Sequence, residues 1–394
     1  MKVRRFFLGL AAWFGATFAF GQHPALPPES APPSQAWSDA SPVMGGIYTS
    51  LDYLLWWMKP VCLKVPTLTG GVPTDAVPGA FGQPGTSLLA GASRFEFSGA
   101  SGLRPRVGLR SADGIFAVEA EGFDLETVAS HQGYQTQPGS PATYIPYIAP
   151  NATNQALPFS IPGVVNGSVA ATGTSHLWGC EANAIANVLA NDYAHCRVQL
   201  SLLAGVRYLQ LQDEIVLRNT QSLVSDPSVV AFGQNSLTTR NQFYGVQLGQ
   251  RLEVTSARGS LSAFGKLAVG ETNLANNFVG APLVGNAVLP GLVPGPVQVL
   301  PSNSGYHSTY RVSLVPEIGT NMRLNITDRA TLTLGYSLLY WNRILCPGDL
   351  MDARVNATQL PFRGPVTGAA LPALGALHTD YFAHGINAGF EFRF

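Results

Sequence analysis

The sequence predicts an all-β fold: a transmembrane, antiparallel, up-and-down β-barrel of about ten strands, twelve being the alternative count. Three observations predict it. Apolar and polar residues alternate in twos along several long runs, as in strands with one apolar face. Connections between these runs are alternately short and long, the pattern of a barrel with short periplasmic turns and long extracellular loops. The chain closes on a strand-like run whose last residue is phenylalanine.

Composition agrees. Only 12% of the 394 residues are charged, with 23 basic against 23 acidic, so there is no basic field for nucleic acid and no acidic tail. The 42 glycines and 29 prolines suit turns and loops. Beyond the N-terminus no apolar run reaches the roughly 18 residues of a helical span.

The elements follow in order. Residues 1–21 read as a secretory signal peptide: Lys2, Arg4 and Arg5 precede a short apolar core from Phe6 to Phe20, with cleavage expected after Gly21. Residues 22–45 are rich in Pro, Ser and Ala and read as a flexible leader. The barrel is expected over 46–394.

In the first strand Ile47, Thr49, Leu51, Tyr53, Leu55 and Trp57 share one face, and Ser50 and Asp52 the other. Strand pairs are then expected at 93–110 and 115–125 around Ser111 to Gly114, and at 175–189 and 193–217 around Ala190 to Asp192. Another is expected at 239–254 and 258–274 around Thr255 to Ala257. The clearest hairpin is 310–326 followed by a strand from Thr331 to Arg343, joined by Thr327-Asp328-Arg329. Pro316 within it suggests a bulge. Between the pairs lie 59–92, 126–174, 218–238, 275–306 and 345–380, longer than the loops of compact soluble domains.

The last residues, Asn387 to Phe394, fit the C-terminal pattern read by the bacterial barrel-assembly machinery. Asn387 supplies its polar residue, Gly389 its glycine, and Phe392 and Phe394 its aromatics. With an export signal and asymmetric loops, this favours a membrane barrel, apolar face to lipid and polar face to lumen, over a soluble one. Closure also removes the sheet edges, which lipid could not satisfy. Trp56, Trp57, Trp178, Tyr340 and Trp341 are then expected as an outer aromatic girdle, with Phe390, Phe392 and Phe394 at the periplasmic end.

Several stretches resemble the putative beta-barrel porin seven family of bacterial outer-membrane proteins. They include Tyr53-Leu54-Leu55-Trp56-Trp57, the segment from Asn241 to Gly249, Val315-Pro316-Glu317, the run from Gly335 to Trp341, Pro347-Gly348-Asp349 and the closing Gly385 to Phe392. The likeness spans nearly all of 46–394 and holds in order as well as content. It implies an outer-membrane β-barrel, and its name leans towards a channel. Cys346 stands where a basic residue is expected.

Ten polar residues are expected to line the lumen. Glu119, Glu121 and Arg207 come from the first five strands. Arg251, Glu253, Lys266, Arg311, Glu317, Arg323 and Arg343 come from the last five. In a wet channel such charges would tune selectivity. About ten strands give a narrow lumen, since about eight suffice for side chains to fill one and large porins use 16–18.

Two functions are therefore carried forward: a porin-like channel for passive diffusion of ions or small polar solutes, and a closed structural or surface-interaction barrel working through its extracellular loops. An enzyme is not expected. No GxSxG, Walker or HExxH pattern is present, although His307-Ser308 and His378 with Asp380 fall near a rim. No cofactor or metal is expected, because no cysteines or histidines have ligand spacing. Expected partners are outer-membrane lipid, periplasmic chaperones and the assembly machinery, in the outer membrane of a Gram-negative-type bacterium. A homo-oligomer is left open, as is pairing of Cys62 with Cys346.

Overall fold

The computed structural model describes residues 46–137, 139–285, 296–360 and 365–394. The expected signal peptide and leader lie outside them. The strands in chain order are β1 (Gly46–Met58), β2 (Val61–Gly70), β3 (Ser87–Phe95), β4 (Ala100–Arg110) and β5 (Phe116–Leu125). Next come β6 (Val128–Gln135), β7 (Thr143–Ile148), β8 (Asn154–Ser160), β9 (Val165–Asp192) and β10 (Arg197–Leu223). The last are β11 (Val230–Ser256), β12 (Gly259–Gly285), β13 (Gly305–Asn325), β14 (Ala330–Ile344) and β15 (Thr379–Arg393).

Ten of these close a ring in the order β1, β4, β5, β9, β10, β11, β12, β13, β14, β15. The first and last strands join it, Tyr48 opposite Arg393 and Met58 opposite Ala383. The backbone amide of Phe394 donates to the carbonyl of Ile47 at 2.9 Å. Along β9, β6 continues the course of β5: Asp124 pairs with Trp178 and Val128 with Ser175.

Alternation sets the two faces. Leu51, Tyr53, Val107, Val118, Val246, Leu248, Ile318 and Phe390 are exposed, whereas Ser50, Asp52, Arg104, Glu119, Arg207, Gln247, Glu317 and Asn387 are buried. Apolar residues outside and polar residues inside are the inverse of a soluble barrel.

The expected loops contain more strand than the sequence suggested. β9 to β12 run 28, 27, 27 and 27 residues, well past the apolar belt. Beyond Tyr208 their outward residues turn polar and bond across strands. Gln242 donates to Gln210 at 3.0 Å, Ser236 to Glu214 at 2.6 Å and Arg218 to Gln234 at 2.8 Å. Above the membrane an outward face needs no apolar residues, so the alternation that marks a lipid-facing strand fades while the strand continues. A second antiparallel sheet, ordered β3-β2-β7-β8, is built from the first two long connections.

Two local expectations are corrected. The turn between β9 and β10 lies at Tyr193 to Cys196 rather than at Ala190 to Asp192, with the Tyr193 amide donating to the Cys196 carbonyl at 2.8 Å. Pro316 makes no bulge: β13 pairs with β12 without a register shift, Pro316 opposite Leu267. It is the other edge that changes, because pairing with β14 stops at Glu317 and Leu339. The amide of Leu314 points to that edge, towards Asn342 Oδ1 at 2.8 Å. Pro316, two residues on, faces the same way and has no N–H to give.

Candidate functional site: the barrel interior

The interior is filled in three tiers. The first, nearest the short turns, is a lattice of charged side chains. Lys266 Nζ lies 2.7 Å from Glu181 and 3.3 Å from Glu317. Arg207 on β10 bonds both of the same carboxylates, its Nε donating to Glu181 at 2.8 Å. Arg106 holds Glu121 at 2.8 Å. Arg251 holds Glu119 at 3.2 Å, and the Tyr48 hydroxyl donates to the same Glu119 at 2.6 Å. Arg323 meets Glu253 at 3.1 Å and Glu391 at 3.7 Å. The contacts cross the lumen: Arg207 reaches Glu317 on β13, and Lys266 on β12 reaches Glu181 on β9. Charges drawn from water are costly unless they are paired and hydrogen-bonded, and here each sign meets the other directly.

The second tier is apolar. Leu54, Trp56, Leu177, Leu209, Phe243, Val315, Leu339 and Trp341 form one buried cluster. The indole Nε1 of Trp56 donates to Asn387 Oδ1 at 2.8 Å, and that of Trp341 to Thr272 Oγ1 at 3.1 Å. Phe243 meets Trp341 edge-on, with centroids 6.1 Å apart. Arg104 lies 5.2 Å over the Trp56 ring and joins this tier to the charges below. Between the two tiers a cavity of about 10 Å³ touches Trp56, Arg104, Glu181, Arg207 and Glu317, at the lower limit for one water molecule.

The third tier is made of the connections themselves. Val61 and Leu63 of β2, Phe95 of β3, and Leu345, Cys346 and Leu350 after β14 pack against Ile215, Leu217, Leu237, Leu274 and Phe278 of the tall wall. Inward amides tie these segments down. Asn241 Oδ1 accepts from the Leu345 amide at 2.7 Å, and its Nδ2 donates to the Leu345 carbonyl at 3.0 Å. Asn235 holds the Pro296 carbonyl, and Gln221 that of Phe159.

Of the ten expected lumen residues, eight lie in the charged lattice. Arg311 and Arg343 do not: both are exposed, and their Nη1 atoms donate to the carbonyls of Tyr310 and Val312 at 3.1 and 3.2 Å. They sit where β13 and β14 have separated, and Arg343, at φ 56°, turns off the strand.

The expected girdle is also divided. Trp57, Trp178 and Tyr340 face outward, as do Phe390, Phe392 and Phe394 at the other end. Trp56 and Trp341 are fully buried in the lumen, because neighbours on a strand point to opposite faces. Tyr208 and Tyr244 extend the girdle, each ring 5.0 Å from the next in the series Trp178, Tyr208, Tyr244. Asn387 has an interior role beside its place in the terminal pattern, since its Nδ2 donates to Ser337 at 2.9 Å.

Glu181, Arg104, Arg106 and Glu391 were not foreseen as lumen groups. Leu103, Val107 and Leu109 alternate around the two arginines and were the available signal. The outward neighbours of Glu181 are Ala182, Ala184 and Ala186, too small to mark a lipid face.

The Putative beta barrel porin-7 family matches residues 48–394. The chain belongs to that family. As a Putative beta barrel porin-7 member it is an outer-membrane β-barrel. No curated protein sequence matches it. Among solved structures it is similar to the outer membrane protease OmpT from Escherichia coli, at 9% identity and TM-score 0.43, covering 90% of this chain and 98% of that one. A deletion mutant of TodX, a monoaromatic hydrocarbon channel, aligns at 9% identity and TM-score 0.21, covering 90% and 91%.

Proposed function

We propose that this protein is a barrel closed to passive diffusion, which acts at the cell surface through its extracellular tier. The observation that carries this reading is the double closure of the lumen by ion pairs that touch across it and by the Trp56, Phe243 and Trp341 layer above them. A diffusion channel instead needs a continuous wet path, with charges facing water.

The reading is of a binding or structural barrel, not an enzyme. The two expected rim histidines, His307 and His378, are both exposed, and Asp380 Oδ1 accepts from the Arg343 amide at 3.5 Å. Export to a Gram-negative-type outer membrane, through periplasmic chaperones and the assembly machinery, belongs to the same proposal.

The test is single-channel recording in a planar bilayer, on protein whose folding is checked by heat-shifted gel mobility. A folded, silent barrel is the expected result. Discrete salt-dependent steps whose size changes in Lys266→Met would overturn it and restore the channel.

A further inference from the structure

All four cysteines stand as thiols in the structure, and the fold sorts them into three places. Cys180 is exposed on the outward face of β9, opposite Tyr208. Cys196 closes the short turn before β10, at the other end of the apolar belt. Cys62 and Cys346, 284 positions apart, come together in the extracellular tier.

Several contacts bring the two backbone segments together. The segment after β14 turns into the lumen and crosses the start of β2. Cys346 packs in the same buried cluster as Val61 and Leu63. Gly348 approaches so closely that a Cβ there would stand 1.6 Å from the carbonyl oxygen of Cys62. Asp349 takes Lys64 Nζ at 2.6 Å. The backbone N–H of Cys62 lies near enough to the Cys346 thiol to favour its ionised form. The Cys62 thiol points instead to the Pro60 carbonyl, 4.0 Å away. Rotation about χ1 carries the Cys62 sulfur to other staggered positions on the same stretch of backbone.

We propose that Cys62 and Cys346 are oxidised to a disulfide that staples the start of the first extracellular connection to the start of the last. The extracytoplasmic compartment permits it. A protein disulfide of the periplasm is the oxidant class. One cysteine thiolate attacks it to give a mixed disulfide, and the second thiolate displaces that bond. Two protons and two electrons leave the pair, and the oxidant departs as a dithiol. Burial, together with the nearby Asp213 carboxylate, pushes the Cys346 thiol up to about 12. Thiolate is therefore scarce in the packed tier.

The test uses full-length protein taken from the outer membrane of an expressing Gram-negative host. It is denatured without reductant in N-ethylmaleimide, digested and mapped by mass spectrometry. The expected result is alkylation at Cys180 and Cys196 and a linked peptide pair joining Cys62 to Cys346. Alkylation at all four positions, or a link through Cys180 or Cys196, overturns the proposal. A second measurement uses heat-shifted mobility. Dithiothreitol is expected to lower the transition of the parent protein by several degrees and to leave Cys62→Ser unmoved. An equal shift in both would count against the bond. If Cys62→Ser does not assemble, the peptide map on the parent protein still decides.

Discussion

Arg207 shows what a buried charge in this lumen depends on. Its guanidinium is shared between Glu181 on β9 and Glu317 on β13, so its removal leaves two carboxylates competing for Lys266 alone. Breaking a buried ion pair from one side costs about 3–5 kcal/mol, because the remaining charge is uncompensated. Arg207→Met is therefore expected to destabilise the folded barrel by about that amount, read from denaturant unfolding. Replacing Arg311, which has no carboxylate contact among the described residues, by Met is expected to change stability by less than about 0.5 kcal/mol. Sequence spacing gave both arginines the same role, since both share their strand's polar parity. What separates them is whether the neighbouring strand is still present at that height. That depends on where β13 and β14 part, and Pro316 alone hinted at it.

At the scale of elements, the seam between β1 and β15 closes the barrel. Gly389 lies against it so tightly that a Cβ would stand 2.1 Å from the Leu51 carbonyl oxygen. Gly389→Ala is expected to cost about 1–3 kcal/mol through overpacking and to slow the appearance of the heat-shifted form, while Phe394→Ala leaves that contact intact. A second element-scale prediction concerns the apolar tier. Trp56→Ala removes the indole, its bond to Asn387 and the ring under Arg104, at a cost of about 3–5 kcal/mol. The strands themselves were legible, because alternation and tight turns are local signals: the ten ring strands, the closing hairpin and the terminal strand overlap the runs the pattern marked, although the expected run 93–110 divides between β3 and β4. The second sheet was not legible. β2, β7 and β8 carry prolines at Pro66, Pro146 and Pro158 and owe their strand form to packing inside the barrel mouth, not to their own propensity.

For the whole molecule, the proposed closed barrel makes the charged and apolar tiers two closures in series. Trp56→Ala and Arg207→Met are each expected to remain silent in a bilayer, because the other tier still blocks the path. Conductance from either single variant would show that one tier alone forms the seal. The polarity of the barrel, apolar out and charged in, could be read from the sequence, as could eight of the lumen groups. The packing of the interior could not, since it depends on partners distant in sequence: Arg207 with Glu317, Asn241 with Leu345, Trp341 with Thr272.

The height of β9 to β12 has a further consequence. At about 3.3 Å per residue and a tilt near 40°, strands of 27 or 28 residues rise roughly 70 Å, against an apolar band of about 25 Å. Much of that wall stands clear of the lipid. Anything approaching from that side would meet the rim of a sheet rather than a loose tether. Along that rim two kinds of freedom coexist. Outward positions such as Gln212 and Arg218 can change with little penalty, so the surface can be disguised. Inward positions such as Leu217 and Asn235 grip the tier beneath, so the disguise can be replaced without the scaffold being redrawn.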